Sequence, residues 1–314
     1  RKSFFITYTE VVIYMAETGF PISAMTAELA KLPAMVKKTV LTRSILGTDI
    51  PLLEIGEGEQ TVLYVGAHHG SESITAALLC DFLSELVRRA ENRESVSGVS
   101  APYLLSHRKL LVVPMLNPDG VEYAVNGVTE DNPLFDRVHA MNGEAGNDFS
   151  HWQANARGVD LNHNYDAGFV AHKSIEHRRG LLGGAPGGFS GEYPESEPES
   201  AALARLIRAR RGQLCGVVTL HTQGEVIFCG TPEANPPKTE AVSRLIERAT
   251  GYCREIPEGS AAYGGLTDWC LEKMKLPAYT LECGKGENPL PMSCRAKIYE
   301  KLRTALFSLP LWLT

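Results

Sequence analysis

The chain alternates short apolar runs with longer periodic segments, and this alternation constrains its fold more than any other feature. Thr61–Ala67 is β-branched and aromatic, as expected of a buried strand, and Ile74–Ala90 has the spacing and the Ala and Leu content of a helix. Strands that alternate with helices predict an α/β fold, with a mixed, twisted sheet and helices on both faces. The other predicted strands are Pro51–Ile55, Lys109–Met115, Gly216–Leu220, Glu225–Cys229 and Ala278–Cys283, and the other predicted helices are Glu199–Arg211, Lys238–Gly251, Thr267–Lys275 and Cys294–Leu306.

Side chains of the metal-binding type fall where two of these runs end. His69 and Glu72 follow the first strand, and their three-residue spacing can bring both to one side of a turn. His221 ends another apolar run. Two imidazoles and a carboxylate suit zinc and leave a fourth position open to water. His68 is an alternative to His69, but adjacent strand residues point to opposite faces, so only one of them should meet the metal.

The composition argues against several classes of protein. The net charge is −6, from 31 basic and 37 acidic residues, and a nucleic-acid-binding face would be basic. No run approaches the roughly 20 apolar residues of a membrane span. The cysteine count of 7 is odd, and no Cys-x-x-Cys occurs, which favours a reducing compartment over a disulfide framework. Residues 1–15 make a poor signal peptide, so we expect a cytoplasmic rather than a secreted protein.

Two stretches lack any periodicity, Asn126–Gly158 and Gly180–Pro194. Loops of this length in a compact domain are usually functional or disordered. The segment that follows, from Ser196 to Glu199, fits a capping box in which Ser196 caps a helix and Glu199 lies three residues later. We interpret this segment as a structural helix start.

Five motifs occur in order along the chain and together resemble the zinc carboxypeptidase family, the funnelins. The resemblance runs from about Ser44 to Pro291. Within the family, the stretches around His69 and after Glu282 are most similar to bacterial enzymes that cut γ-D-glutamyl-diaminopimelate bonds in cell-wall peptides. The motifs are Gly66-Ala67-His68-His69-Gly70-Ser71-Glu72, Asn117-Pro118-Asp119-Gly120, Gly158-Val159-Asp160-Leu161-Asn162-His163-Asn164-Tyr165, Leu220-His221-Thr222-Gln223-Gly224-Glu225 and Thr280-Leu281-Glu282-Cys283-Gly284.

The resemblance implies a division of labour among these residues. It makes His69, Glu72 and His221 the ligands of one zinc ion per chain, and Glu282 the general base. It makes Asp160 the hydrogen-bond acceptor that fixes the tautomer of His69. It also implies a catalytic domain over residues 44–314, on which residues 1–43 pack as an N-terminal segment.

Two positions depart from the family pattern. His163 stands where the digestive enzymes have an arginine that grips a terminal carboxylate, and an imidazole cannot form that two-pronged contact. Gln153 stands where an arginine commonly stabilises the oxyanion, and a neutral amide should do so less strongly. Arg157 is either a substitute for that arginine or a structural residue. The positions implied to bind substrate are Asn162, His163, Tyr263 and Thr267.

The sequence therefore predicts a zinc-dependent metallopeptidase, a carboxypeptidase-like hydrolase that cuts an amide bond in peptides, which we expect to come from peptidoglycan. The expected partner is a peptide substrate, with no nucleic acid and no membrane span. Two alternatives stay open. One is a zinc deacylase of N-acyl amino acids. The other is a zinc-holding recognition module with impaired catalysis, which Gln153 and His163 favour and Glu282 opposes.

Overall fold

An eight-stranded mixed sheet forms the centre of the molecule. The computed structural model describes residues 19–313, without the side chains of residues 260 and 261. Its strands are β1 (Lys37–Arg43), β2 (Asp49–Ile55), β3 (Gln60–Val65), β6 (Arg108–Val113), β7 (Leu214–His221), β8 (Val226–Phe228), β9 (Cys253–Glu255) and β10 (Ala278–Glu282), while β4 (Ser95–Val96) and β5 (Val99–Ser100) pair separately. The order of the strands in the sheet is β1-β2-β6-β3-β7-β10-β8-β9, and the four central strands, β6, β3, β7 and β10, run parallel.

Each face of the sheet buries its own core, because side chains alternate along a strand. Val62 and Tyr64 of β3 pack in one core, and Leu63 and Val65 pack in the other. Both cores include helical residues, which confirms the predicted mixed sheet between helices. The helices are α1 (Ile22–Ala30), α2 (Ile74–Glu91), α3 (Ala101–His107), α4 (Pro118–Asn126), α5 (Phe135–Asn142), α6 (Phe169–Arg179), α7 (Pro198–Ala209), α8 (Thr239–Thr250), α9 (Leu266–Glu272) and α10 (Arg295–Trp312).

Helices α2 and α10 cover the same face and are tied to each other by charged side chains. Glu85 accepts hydrogen bonds from Arg303 Nε and Tyr299 Oη, both at 2.8 Å. One helical turn away, Arg295 Nε donates to Asp81 at 2.7 Å. These contacts bridge two helices whose apolar sides are already packed on the sheet, so they also set how the helices align. No helix within residues 19–313 is long and apolar enough to cross a membrane.

Several elements differ from the predictions. The sequence patterns missed α1, β1, β9 and the helices α3, α4 and α6, and the loop predicted at Asn126–Gly158 contains α5. The prediction of a capping box at Ser196 and Glu199 was wrong. Helix α7 starts after Glu197, with no side-chain cap, and Glu199 is instead fully buried beside Asn155.

The predicted division between residues 1–43 and 44–314 stays a prediction. Residues 1–18 lie outside the described part of the chain. Residues Lys37–Arg43 pair with β2 as the edge strand of the main sheet.

Candidate metal centre

A tight turn after β3 brings His69 and Glu72 to the edge of the sheet. Ala67 has a positive φ of 47°, which swings the chain out of the strand. His69 then precedes a short 3-10 turn, Gly70–Glu72. A Cβ on Gly70 would lie 2.2 Å from the carbonyl oxygen of Gly120 and 2.7 Å from that of Trp152. Only glycine therefore fits between these two backbone segments, and this close approach sets where His69 and Glu72 project.

The three predicted zinc ligands come together around the carboxylate of Glu72. Its Oε1 lies 2.9 Å from His69 Nδ1, and its Oε2 lies 3.0 Å from His221 Nδ1. One nitrogen or oxygen from each residue lies within 4.8 Å of those of the other two. His221 reaches this point as the last residue of β7, which is the neighbour of β3 in the sheet.

The donor set fits zinc. Asp160 Oδ1 lies 3.1 Å from His69 Nε2 and, being an ionised acceptor, keeps the proton on Nε2 and leaves Nδ1 free for a metal. His221 Nδ1 lies 3.0 Å from Glu72 Oε2 and is the ring nitrogen that faces the cluster, while Nε2 is buried and has no hydrogen-bond partner among the described residues. Two neutral imidazole nitrogens and a carboxylate oxygen are the ligands that zinc takes in sites with an open position.

The electrostatics of the cluster are those of a cation site. Burial alone would raise the pKa of Glu72, but His69 and His221 hold it down at about 2. Burial opposes the charged form of His69, yet Glu72 and Asp160 raise its pKa well above the ordinary value. Two carboxylates thus concentrate positive charge at this position, which a bound metal cation would supply instead of protons.

His68 lies outside this cluster and packs against one of its members, His221. Its Nδ1 and Nε2 lie 3.2 Å from Thr219 Oγ1 and 3.3 Å from Tyr165 Oη. Its ring stacks on His221, with 5.2 Å between the ring centroids. Of the two adjacent histidines, His69 and not His68 belongs to the cluster with Glu72 and His221.

Glu282 ends β10 directly beside His221. The two residues are register partners in neighbouring parallel strands. Burial, together with the negative charge of Glu72, raises the pKa of Glu282 to about 8. A carboxylate that binds a proton near neutrality is suited to accept and return one during a reaction.

Three of the four positions implied to bind substrate have a polar side-chain atom engaged within the protein. Asn162 Oδ1 accepts the backbone N–H of Leu266 at 3.1 Å, and Thr267 Oγ1 lies 2.7 Å from Thr280 Oγ1. His163 Nδ1 lies 2.7 Å from the carbonyl oxygen of Tyr263.

The two candidates for oxyanion stabilisation lie in different surroundings. The backbone carbonyl of Gln153 accepts the N–H of Gly70 at 3.0 Å, so Gln153 lies next to the turn that carries His69. Arg157 instead forms an ion pair with Glu197, at 3.0 Å from Nε and 2.9 Å from Nη2. The structure therefore holds Arg157 against a carboxylate. Its role at the oxyanion, like that of Gln153, stays a prediction.

Sequence reasoning missed Asn288 as a member of the centre. Its Nδ2 donates to the carbonyl of Thr222 at 2.8 Å and lies 3.4 Å from Glu72 Oε1. Its Oδ1 accepts from Thr222 Oγ1 at 2.7 Å, and the Thr222 N–H donates to Glu72 Oε2 at 3.2 Å. Asn288 lies in the stretch after Glu282 that resembles the bacterial enzymes, which was the available signal.

Comparison with known proteins finds a family that the chain matches over most of its length. The family model described as zinc carboxypeptidase matches residues 22–304. The chain is 32% identical over 288 residues to γ-D-glutamyl-L-diamino acid endopeptidase 1 of Lysinibacillus sphaericus, which covers 91% of this chain and 70% of that protein. It is 33% identical over 260 residues to the uncharacterised protein YqgT of Bacillus subtilis, covering 82% of this chain and 67% of that protein.

Solved structures show the same fold at lower identity. Thrombin-activatable fibrinolysis inhibitor superposes with a TM-score of 0.68 at 18% identity, covering 98% of this chain and 76% of that one. Murein-tripeptide amidase MpaA of Escherichia coli superposes with a TM-score of 0.54 at 21% identity, covering 90% and 94%. With the family match extending over most of its length, the chain belongs to the zinc carboxypeptidase family, a family of zinc-dependent hydrolases.

Proposed function

We propose that this protein is a zinc-dependent peptidase that hydrolyses an amide bond in peptides derived from peptidoglycan. The observation that carries the proposal is the convergence of His69, Glu72 and His221 with Glu282 beside them. Zinc, when bound there, supplies a Lewis acid that polarises a carbonyl group and acidifies water.

The side chains of the chain supply the rest of the chemistry. Asp160 orients the ring of His69 through its hydrogen bond to Nε2, and Asn288 and Thr222 hold the carboxylate of Glu72. Glu282 accepts a proton from the attacking water and returns it to the leaving amine, a role that its raised pKa supports. Such proton transfer accelerates amide hydrolysis by roughly 10²–10⁴-fold.

Two relatives support a cell-wall peptide as the substrate class. The Lysinibacillus sphaericus relative is, by its name, an endopeptidase of γ-D-glutamyl-L-diamino acid bonds. The murein-tripeptide amidase with the same fold is named for a cell-wall tripeptide. We infer that this chain cuts the same class of bond, between a γ-linked D-glutamate and a diamino acid.

Digestion of defined peptides tests the proposal. Zinc-loaded protein is incubated with a cell-wall tripeptide, the corresponding tetrapeptide and a panel of N-acyl amino acids, and the products are identified by mass. We expect cleavage of the γ-D-glutamyl bond, and loss of that cleavage after treatment with a chelator. Turnover of the acyl amino acids alone would instead favour a deacylase.

A recognition module without catalysis is the second candidate. Arg157 is paired with Glu197, and Gln153 carries no charge. Neither position therefore supplies an unpaired arginine to stabilise the oxyanion of the transition state. Amide hydrolysis at any measurable zinc-dependent rate would exclude this candidate.

We also propose a cytoplasmic location. All seven cysteines are free thiols, which is consistent with a reducing compartment.

A further inference from the structure

Asn117 has no part in the proposed chemistry, yet its fully buried side chain binds three backbone carbonyl groups near the metal centre. Its Nδ2 donates to the carbonyl oxygen of His68 at 3.0 Å and to those of Gln153 and Ala154 at 3.1 Å. Its Oδ1 accepts the N–H of Gly120 at 2.9 Å and so caps helix α4. Because a carbonyl oxygen only accepts and a backbone N–H only donates, this network fixes which end of the amide is nitrogen.

The turn that presents His69 is held by Asn117 at two successive carbonyl groups. The backbone N–H of Asn117 donates to the carbonyl of Ala67 at 3.0 Å, and its side chain holds the next one, that of His68. Ala67 has a positive φ of 47°, a conformation that persists only where its surroundings impose it. Since a peptide bond is planar, a hold on the carbonyl of His68 also fixes the backbone nitrogen of His69.

The same amide also holds the loop that reaches the ring of His69. The carbonyl oxygen of Gln153 accepts both Asn117 Nδ2, at 3.1 Å, and the N–H of Gly70, at 3.0 Å. This loop continues to Asp160, whose Oδ1 lies 3.1 Å from His69 Nε2. Asn117 therefore acts on the backbone of His69 through the turn and on its ring through the loop.

No other group shares this task among residues 19–313. The carbonyl oxygens of His68 and Ala154 accept no other hydrogen bond there, and both residues are buried. A buried carbonyl group without a partner is costly. Without the amide of Asn117, the turn and the loop must therefore shift until these oxygens find a partner, and the turn carries His69 with it.

We propose that Asn117 is a positioning residue of the metal centre, whose amide sets where His69 lies relative to Glu72 and His221. The inference rests on the proposed zinc centre and not on the identity of the substrate. Asn117 acts through the backbone of one ligand. Its loss should therefore weaken zinc binding beyond what a loss of stability alone would cause.

Zinc affinity tests this inference without any substrate. Asn117→Ser and Asn117→Asp each keep an oxygen that can cap α4, but neither has the NH₂ group that holds the carbonyls. Metal-free protein is titrated with zinc against a competing chelator, and stability is measured by urea unfolding. We expect the zinc affinity to fall by roughly 10–100-fold, as on loss of an outer partner of a metal ligand. Asn117→Asp should bind more weakly than Asn117→Ser, because an ionised carboxylate repels the carbonyl oxygens.

Asn164→Ser is the matched control. Asn164 is equally buried, and its Nδ2 also donates to three groups, none of which belongs to the metal centre or its turn. These groups are the carbonyls of Ser190 and Tyr193 and the hydroxyl of Ser196. This variant should lose comparable stability and keep the zinc affinity of wild type. Wild-type affinity in both variants at Asn117, or an equal loss in Asn164→Ser, overturns the inference.

NMR of the wild-type protein decides the question if neither variant at Asn117 folds. The side-chain NH₂ signals of Asn117 and Asn164 are followed while zinc is added to metal-free protein. We expect the signal of Asn117 to shift as zinc binds and that of Asn164 to stay in place. A zinc-bound protein in which the Asn117 signal has not moved contradicts the inference. Zinc binding without hydrolysis of any peptide counts against the proposed function alone, whereas wild-type protein that binds no zinc counts against both.

Discussion

Glu282 and His221 are register partners at the carboxyl ends of two adjacent parallel strands. A candidate base and a candidate metal ligand thus lie side by side at the ends of two central strands of the sheet. Residues on strands of the central sheet hold their positions better than residues on loops. The spacing between the two groups therefore depends on a backbone ladder and not on side-chain packing alone.

Replacing Glu282 with Gln should remove catalysis and spare the metal. Gln keeps the size of the side chain but cannot accept a proton, so we expect kcat to fall by roughly 10²–10⁴-fold. Zinc content, measured by mass spectrometry, should equal that of wild type, because Glu282 is not one of the three clustered ligands. Glu287→Gln, at an exposed position nearby, serves as the control. Wild-type turnover in Glu282→Gln would remove this residue from the mechanism.

Replacing Asp160 with Asn should weaken the grip on zinc. The side-chain amide of Asn carries no negative charge to hold the Nε2 proton of His69. The amide can also rotate so that its NH₂ group, and not its oxygen, faces His69 Nε2. Loss of such a partner typically costs about 10–100-fold in metal affinity. Competition with a chelator measures the affinity directly. Asp136→Asn, at an exposed position in α5, should change it little, and an unchanged affinity in Asp160→Asn would show that the contact does not orient the ligand.

Gly70→Ala should damage the fold and the site together. The added methyl group would overlap two backbone carbonyls, at 2.2 Å and 2.7 Å. Overpacking of this kind costs about 1–3 kcal/mol of unfolding free energy, and relief of the overlap must move the turn that carries His69 and Glu72. Gly212→Ala is the matched control, since a methyl group added there would meet no atom within 4 Å. Urea unfolding and zinc content report the two effects, and equal stability of both variants would contradict the steric argument.

Glu85→Gln should lower stability at neutral pH but not in strong acid. Burial alone would raise the pKa of Glu85, but hydrogen bonds from Arg303, Tyr299 and Arg89 lower it to about 2. A carboxyl group whose folded pKa lies below its unfolded value near 4.5 adds stability above that value. It loses this contribution as the pH falls toward 2.

The contribution of Glu85 should be modest because the group is partly solvated. We expect a loss on the order of 1 kcal/mol for Glu85→Gln at pH 7, after allowing for solvent screening. Urea unfolding at pH 7 and pH 3 should show the gap to wild type narrowing in acid. Glu91→Gln, exposed at the end of the same helix, provides the comparison. A gap that stays constant with pH would mean that charge is not its source.

The central strands and the metal cluster could be predicted because their signals are local. β7 and β10 are apolar runs that end at His221 and Glu282, β3 is an apolar run followed closely by His69 and Glu72, and the carboxyl ends of parallel strands meet at one edge of a sheet. β1 was missed because it lies at the sheet edge, where its burial is low and its sequence carries little apolar pattern.

Residues recruited by tertiary structure could not be predicted in this way. Glu199 fits a capping box by spacing, but the fold turns its carboxylate inward, beside Asn155 and the N–H of Ile45, where burial raises its pKa to about 8. Asn288 reaches Glu72 across 216 residues of chain. No local pattern encodes either contact, because both depend on segments that meet only after the sheet has formed.

The strand order has a consequence for how the protein matures. β3 lies between β6 and β7, so the edge that carries His69 and Glu72 is incomplete until the segment ending at His221 has joined it, 149 residues after Glu72. A shorter nascent chain lacks one of the three ligands and cannot close the coordination shell. A newly made molecule that retains a zinc ion has therefore already paired β7 with β3 in the central sheet.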